Sequence, residues 1–535
     1  MAQEKTRNPL GWGYTEDALH AGERRAIARV LGPVFRLDDE HFRPCPPVDG
    51  VPLRRSRTDP PREMAGLVSG EHADRVLHCI GRSFRDLASL RSGEELAAPD
   101  VVATPRNAAE LERVLEWANR EGLGVIPFGG GSSVVGGVTP DPAMDRCNGC
   151  ISLDLQGLSR VLEISERDRV AHVEAGILGP ALDAALKPHG LSMRYYPQSY
   201  FHSSVGGWIA TRGAGHYSTL HAKIEDQVES LGVLLPDGRR LRTRALPASS
   251  VGPDPNRLWC GSEGALGVLT DARLRVQARP RYKATRGVVF PDFESALEAG
   301  RGIVQAGLWP AQLRILDPDE HRMSNALTGR VVSGALMILG FESSVFPVDE
   351  PLRLARELCR AHGGAARQDR AGPRQGPEVD NWRQAFFRQP YVRDFLLDYA
   401  VIADTFETAV PWSRLPGFYH QVREITRKAV DRVCGAGAVT CRTTHAYPDG
   451  VCLYFSFNGQ GRHEALAEQW WEIKTAASDA VLAGGGTISH HHAMGRDHKR
   501  WARQELPSAF RGAIRAAKRE LDPGAIMNPG LWFED

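Results

Sequence analysis

The most concentrated run of glycine in this chain reads PFGGGSSVVGG, from Pro127 to Gly137. It directly follows the apolar segment 124–127, which we predict to be a β-strand. Glycines after a strand allow positive φ and close approach of a ligand, so that successive backbone N–H groups can converge on a diphosphate. The run lacks the lysine of a P-loop, and the dinucleotide fingerprint would need glycine where Val134 stands. Taken alone, the run also fits a simple tight turn.

Two later segments repeat this mixture of glycine, small residues and hydroxyl groups. They read SSVGGWIATRGAG at 203–215 and GSEGALGVLT at 261–270. Upstream, an apolar strand over 100–105 and a helix over 107–121 precede the first glycine run. A strand, a helix, a strand and then a glycine loop form an arrangement typical of nucleotide sites.

The chain divides into segments of different character. Residues 1–95, with a helix over 16–30, form an extension. Further strands are predicted over 150–155, 169–175 and 232–235, with a helix over 178–189. Longer strands and amphipathic helices begin near residue 280, with a strand predicted over 284–290 and a helix over 293–306. We expect the Gly/Pro-rich stretch 363–377 to form a surface loop or a lid. We predict an N-terminal extension (1–95), a nucleotide-binding domain (96–280), a cap or substrate domain (281–485) and a C-terminal segment (486–535) that completes the active site.

Composition excludes several classes of protein. The 535 residues carry a net charge of +1, so no overall field attracts nucleic acid, and we expect no nucleic-acid partner. Nine cysteines are too few for a disulfide framework. Cys147 and Cys150 have zinc-type spacing, but no second pair of that kind exists, and we predict no metal. No run approaches the length of a membrane span, so we expect a cytoplasmic protein.

The three glycine segments, in this order and spacing, resemble the PCMH-type FAD-binding domain of the vanillyl-alcohol-oxidase family. The resemblance implies an α+β fold: a two-subdomain FAD-binding domain, an antiparallel-sheet cap domain and here a mostly helical N-terminal extension. The first loop contains no histidine, so we expect FAD to be bound non-covalently. By this resemblance the FAD contacts are Pro127, Phe128, Gly129, Gly130, Gly131, Ser132, Ser133, Gln198, Ser199, Tyr200, Phe201, His202, Ser203, Ser204, Thr211, Arg212, Gly213, Ala214, Glu263, Gly264, Ala265, Leu266, Gly267, Val268 and Leu269.

Two further features carry candidate chemistry. His490, His491 and His492 are consecutive, and three imidazoles in a row rarely serve a core because each needs a hydrogen-bond partner. A metal site is the alternative, although adjacent side chains point in alternate directions and cannot all face one ion. Tyr454 lies in the alternating strand 451–458, where an ordinary buried tyrosine is the competing interpretation.

Two arginines stand among apolar residues. Arg314 and Arg393 each need an anionic partner, because a guanidinium in an apolar setting is otherwise unstable. That partner is either a substrate or a neighbouring carboxylate, Asp317 or Asp394, in a purely structural ion pair.

Within the flavin family, the chain resembles the alkyldihydroxyacetonephosphate synthase branch. The resemblance extends from residues 8–14 to residues 521–530. Three parts of it are specific to this branch: the histidine triplet with Gly495-Arg496, the strand 452–455, and Arg393-Asp394 together with the segments 406–408 and 411–412 that follow it. The resemblance implies that Tyr454 donates and accepts a proton, that His490 to His492 are needed for activity, that Arg314 is a further basic residue of the active site, and that Arg393 binds substrate.

The function implied by this resemblance is the exchange of the acyl group of acyl-dihydroxyacetone phosphate for a long-chain alcohol, which forms an ether-lipid precursor. Its partners would be those two substrates, with peripheral membrane contact and a homodimer expected. One alternative is an FAD-dependent oxidoreductase acting on a 2-hydroxy acid or another alcohol. Another is a flavin- or lipid-binding protein without turnover.

Overall fold

A computed structural model describes residues 5–326, 331–366 and 377–532. Of the predicted surface loop 363–377, residues 367–376 lie outside the described residues. In the N-terminal extension the regular elements are α1 (Ala21–Leu31), β1 (Val68–Ser69), α2 (His72–His78) and α3 (Phe84–Ser89). The backbone N–H of Trp12 donates to the carboxylate of Asp394 at 2.6 Å, which ties the start of the chain to the cap.

The first small sheet positions the leading glycine loop. Its strands are β1, β2 (Val101–Ala103), β3 (Gly124–Phe128) and β4 (Cys150–Asp154), in the order β1-β2-β4-β3, and both β2 and β3 run parallel to β4. The crossover helix α4 (Ala108–Glu121) begins where the Asn107 side chain accepts from the Glu110 N–H, and it ends at Gly122 in the left-handed conformation. The predicted strand–helix–strand unit is therefore confirmed.

A second, antiparallel sheet completes the nucleotide-binding region. It contains β5 (Val161–Ser165), β6 (Val170–Glu174), β8 (Val228–Leu234), β9 (Arg240–Arg242) and β10 (Val268–Arg275), in the order β5-β6-β10-β8-β9. β7 (Leu191–Ser192) pairs with β11 (Gln277–Ala278). The helices here are α5 (Gly179–Leu186), α6 (Val205–Ala210), α7 (Ser218–His221), α8 (Ile224–Gln227) and α9 (Asn256–Trp259).

The cap is built on a seven-stranded antiparallel sheet. Its strands are β12 (Tyr282–Phe290), β13 (Gln312–Leu316), β14 (Ala335–Ser343), β15 (Ala365–Ala366), β16 (Val401–Pro411), β17 (Gly437–Ala446) and β18 (Gly450–Gln460), in the order β15-β12-β14-β13-β17-β18-β16. Helices α10 (Phe293–Gln305), α11 (Pro318–Asn325), α12 (Asp349–Ala361), α13 (Pro377–Leu397), α14 (Leu415–Cys434) and α15 (Leu466–Ala483) accompany it. The chain finishes with α16 (Lys499–Glu505) and α17 (Ser508–Leu521).

Both faces of this cap sheet are covered. Side chains of α10, α12, α14 and α15 pack against one face in the largest apolar core. The other face turns Arg314, Arg442 and Tyr454 toward the glycine loops. Within the described residues, no helix is both long and apolar enough to cross a membrane.

Candidate active site

The glycine loops line one large cavity, here called the first cavity. It encloses about 1570 Å³ of empty space, part of it open to solvent. Residues predicted as FAD contacts that lie in its wall are Pro127, Phe128, Gly129, Gly130, Gly131, Ser132, Ser133, Gln198, Ser199, Ser203, Ser204, Thr211, Gly213, Ala214, Glu263, Gly264, Gly267 and Leu269. Those that lie outside the wall are Tyr200, Phe201, His202, Arg212, Ala265, Leu266 and Val268.

Some of the predicted contacts outside the wall have evident structural roles. The hydroxyl of Tyr200 donates to the carbonyl of Gly179, and Arg212 pairs with Glu225 at 3.2 Å. The ring of His202 is buried edge-on against Trp12, 4.9 Å between ring centres. The resemblance to the flavin family predicted whole segments as FAD contacts, and these residues are members of those segments whose side chains lie outside the wall.

The first glycine loop fits the diphosphate of FAD. Among the described residues, the backbone N–H groups from Gly129 to Ser133 donate to no protein acceptor, so they are available to an anionic ligand. A Cβ at Gly130 would overlap the carbonyl of His202, and one at Gly129 would overlap the hydroxyl of Ser204. Glycine is therefore required where this loop passes over the start of α6.

Three polar side chains stand side by side on the face of the cap sheet that meets the first cavity. Arg442 in β17 is paired with Tyr454 in β18, and Tyr454 is paired with Glu407 in β16. Paired residues of neighbouring strands point to the same face, which brings these three side chains together. The guanidinium of Arg442 lies over the Tyr454 ring at 4.3 Å, and the Tyr454 hydroxyl is 3.0 Å from the Thr405 hydroxyl.

Glu407 organises the histidine triplet. Its carboxylate accepts the backbone N–H of His490 at 2.7 Å, of His491 at 3.0 Å and of His492 at 2.9 Å, together with the Ser489 hydroxyl at 2.8 Å. Burial opposes ionisation of this carboxyl group, but the nearby imidazoles and N–H groups outweigh burial and hold its pKa well below the usual value. Glu407 is thus a buried anion that fixes the loop carrying the triplet.

The three histidines are not equivalent. His491 and His492 lie in the wall of the first cavity, whereas His490 lies behind it, 2.6 Å from the Tyr447 hydroxyl. Burial lowers the pKa of both wall histidines, with Glu407 acting in the opposite direction. Burial thus favours the neutral form of both imidazoles, which is the form able to accept a proton.

Two groups of side chains here could hold a metal ion. His445, Cys452, His490 and His491 bring ligand atoms within 4.8 Å of one another. Glu407, His491 and His492 form the other group. Neither group contains all three members of the triplet, but each contains two adjacent histidines, which strict alternation of side chains would not bring together.

The two arginines differ in their partners. Arg314 is buried in the wall of the first cavity and lies 3.0 Å from His216 Nδ1, and burial lowers its pKa to about 9. Asp317 does not pair with it, because this carboxylate caps α11 and accepts the Cys441 N–H at 2.8 Å. Arg393, by contrast, pairs with Asp394 at 3.0 Å, so the structural ion pair considered from the sequence is present there.

A second cavity adjoins the first and is here called the second cavity. The walls of both contain Trp12, Arg442, Tyr454 and His492. The second cavity also has an apolar side from the N-terminal extension and α13, formed by Ile27, Leu31, Phe35, Val392 and Leu396. The charged residues found only in its wall are Glu320, Arg388, Arg393, Asp404 and Lys474. The shared residues form the partition between a glycine-lined space and a largely apolar one.

Several site residues were not identified from the sequence. Glu407 lies within the segment 406–408 of the branch pattern, and an acid among the apolar residues of the strand 401–411, which also contains Asp404, is itself a signal. Arg442 is likewise a charged residue within a mostly buried strand, β17. Trp12 lies in the shared segment 8–14, but nothing in the sequence places it at the active site, because only the fold brings the start of the chain to the partition.

Glu263 links the third glycine segment to the triplet. Its carboxylate accepts the N–H groups of Met494 and Gly495, each at 3.1 Å from Oε1. Burial raises the pKa of Glu263 to about 7. The side chain thus fastens the C-terminal segment to the wall of the first cavity.

Comparisons with known proteins identify the class first. The FAD binding domain family matches residues 99–244, and the C-terminal domain family of FAD linked oxidases matches residues 279–531. The chain therefore carries an FAD-binding domain, and the fold class and FAD cofactor predicted from the sequence are confirmed.

The family follows from individual relatives. The chain is 31% identical over 479 residues to alkyldihydroxyacetonephosphate synthase of Trypanosoma brucei brucei, covering 85% of this chain and 76% of the relative. It is 30% identical to the Caenorhabditis elegans protein of the same name, covering 97% and 93%. A solved structure of an alkyldihydroxyacetonephosphate synthase superposes with a TM-score of 0.80 at 25% identity, over 98% of each chain. The chain belongs to the alkyldihydroxyacetonephosphate synthase family.

Proposed function

We propose that this protein exchanges the acyl group of acyl-dihydroxyacetone phosphate for a long-chain alcohol, forming alkyl-dihydroxyacetone phosphate and a fatty acid. The observation that carries this proposal is the position of Arg442, Tyr454 and His492, which lie in the walls of both cavities and separate one from the other. One side of the partition is suited to a flavin and a phosphorylated head group, and the other to an apolar chain. The family relatives, named alkyldihydroxyacetonephosphate synthase, support the same reaction.

The proposed exchange is neutral in electrons. The bond between substrate C1 and the acyl oxygen breaks, and a bond between C1 and the alcohol oxygen forms. The hydroxyl proton of the alcohol leaves with the fatty acid or passes to solvent. When bound at the glycine loops, FAD supplies the isoalloxazine ring as an electrophile for C1.

In this proposal, Tyr454 and the two wall histidines transfer the protons of the reaction. Burial raises the pKa of Tyr454, so its hydroxyl keeps a proton that it can donate to a departing oxygen. In their neutral form, His491 and His492 can accept a proton from C1 or from the alcohol. His490, behind the wall, is proposed to support this pair through its contact with His491, 3.0 Å between the two Nδ1 atoms.

The phosphate is proposed to bind at Arg314. A planar guanidinium suits a phosphate because it offers several N–H donors in a fixed fork. Arg314 lies in the first cavity, close to the glycine loops that are proposed to hold FAD. Arg393 is the second proposed substrate contact, in the wall of the second cavity.

Incubation of the purified holoprotein with palmitoyl-dihydroxyacetone phosphate and hexadecanol tests the proposal. Hexadecyl-dihydroxyacetone phosphate and palmitate are expected in equal amounts. Acceptor-dependent oxidation of a 2-hydroxy acid, with no palmitate released, would instead establish the oxidoreductase alternative.

We further propose that the protein meets its substrates at a membrane surface, since both carry long apolar chains. Exposed apolar side chains at Trp309, Val345 and Phe346 are consistent with such contact. Sedimentation with phospholipid vesicles tests it, and light scattering tests the homodimer expected from the sequence.

A further inference from the structure

We propose that Lys474 binds the carboxylate group of a long-chain fatty acid in the second cavity. This inference rests on the proposed function, because it assigns a subsite to the fatty acid that the exchange releases. Lys474 projects from α15, is only 3% exposed, and lies in the wall of the second cavity.

The cations of this wall differ in how they are neutralised. Arg388 pairs with Glu23 at 2.7 Å, Arg393 with Asp394, and Arg442 with Glu320. Lys474 Nζ has only the carbonyl oxygen of Thr405, at 3.4 Å, and among the described residues no carboxylate oxygen lies within 4.0 Å of it. Among the described lysine and arginine side chains of this wall, Lys474 is thus the one that no close carboxylate neutralises.

Among the described residues, no acid completes a structural ion pair with Lys474, although the charges of Asp404, Asp497 and Glu407 all reach it at longer range. Asp404 Oδ2 accepts the indole N–H of Trp470 at 2.7 Å, and its charge reaches Lys474 only at longer range. Burial lowers the pKa of Lys474, as expected for an ammonium group that lacks a close counter-ion. A buried ammonium group without a paired anion is costly, which makes a purely structural role a poor explanation.

The shape of the cavity selects the kind of anion. Ile27, Leu31 and Phe35 line the side formed by the N-terminal extension, so a ligand filling the cavity has an apolar tail. The hydroxyl of Ser456, in the same wall, is buried and has no hydrogen-bond partner among the described residues, so it offers a second polar contact. A single ammonium and a hydroxyl suit a carboxylate, whereas phosphate recognition favours several donors, as around Arg314 in the first cavity.

Binding to the FAD-loaded protein, measured by calorimetry without turnover, tests this subsite. The ligands are palmitate, methyl palmitate, hexadecanol and dihydroxyacetone phosphate. The variants are Lys474→Met, which keeps the length of the side chain without its charge, and Lys474→Arg, which keeps the charge. Lys428→Met, at an exposed position of α14, is the control for the substitution itself.

We expect Lys474→Met to weaken palmitate binding by about tenfold or more, which is the range of a charge-assisted hydrogen bond. Hexadecanol affinity and FAD content should not change, Lys474→Arg should retain palmitate, and Lys428→Met should match the wild type. Equal affinity of the wild type for palmitate and methyl palmitate would overturn the proposal even if Lys474→Met failed to fold.

Two other outcomes also decide the question. Weaker dihydroxyacetone phosphate binding in Lys474→Met, with palmitate binding unchanged, would assign Lys474 to the phosphate and overturn the proposal. Lysine-dependent palmitate binding in a protein that forms no ether product would support the carboxylate site while refuting the proposed synthase reaction.

Discussion

At the scale of single residues, Tyr454 is the sharpest test of the proposed proton transfer. Tyr454→Phe removes one hydroxyl and leaves the ring under Arg442 in place. We expect turnover to fall by about 10²- to 10⁴-fold, the range typical of lost general acid–base catalysis, with FAD content unchanged. Tyr447→Phe is the matched control, because Tyr447 contacts His490 outside both cavity walls. Equal losses in the two variants would contradict the assignment.

Glu407 sets the pH dependence of the wall histidines. A histidine base must be unprotonated, so the rate falls as pH drops through its pKa. Glu407 raises the pKa values of His491 and His492, and Glu407→Gln should therefore move the acid limb of the rate profile to lower pH.

Glu407→Asp is the control for this experiment. It keeps the charge, so its acid limb should stay closer to that of the wild type while the shorter side chain lowers turnover. An acid limb at the same pH in wild type and Glu407→Gln would show that these histidines are not the titrating bases.

The sequence predicted part of this site for identifiable reasons. Tyr454, His491 and His492 are chemically distinctive at the residue level, and all three lie in the wall of the first cavity. Glu407 and Arg442 were not predicted as site residues, because their position in the site depends on the pairing of β16 and β17 with β18. Strand register across three strands is a tertiary property that residue spacing does not contain.

At the scale of elements, the first glycine loop should tolerate no side chain at Gly130. Even alanine would bring its Cβ into the carbonyl of His202, so Gly130→Ala should lose FAD. Gly417→Ala, in α14, is the matched control, because a Cβ there meets no atom of the described residues within 4 Å. The control should keep FAD and gain roughly 0.5–1 kcal/mol of stability from higher helix propensity. Flavin absorbance per protein reports both results, and normal loading of Gly130→Ala would place the diphosphate elsewhere.

Local patterns predicted most elements well. The strand expected over 284–290 is β12, and the helix expected over 293–306 is α10, with Asp292 as its N-cap. The helix expected over 178–189 is shorter, because α5 ends at Leu186 and a 3-10 turn containing Pro188 continues to His189. Periodicity gives an element its type, while proline and capping decide where it ends.

At the scale of the whole molecule, the chemistry depends on a contact between distant parts of the chain. The partition joins Trp12 of the extension, Arg442 and Tyr454 of the cap sheet and His492 of the C-terminal segment. The resemblance predicted that the C-terminal segment completes the active site with the cap, but not that Trp12 of the extension joins them, because a sequence separation of hundreds of residues carries no local signal. In the proposed exchange, the first cavity would hold the flavin and the head group, and the second would hold the apolar chain.

The state of the flavin over many turnovers separates this exchange from a simple oxidation. In the exchange no net electrons move, so anaerobic addition of palmitoyl-dihydroxyacetone phosphate and hexadecanol should yield repeated turnovers with the flavin oxidised at the end. Oxygen consumption and dye reduction should not accompany product. An oxidoreductase must instead bleach its flavin once and then stop until an acceptor is added. Tyr454→Phe supplies the control protein, because it should bind both substrates and show neither behaviour. Stoichiometric bleaching by the substrate pair, relieved by an acceptor, would refute the exchange.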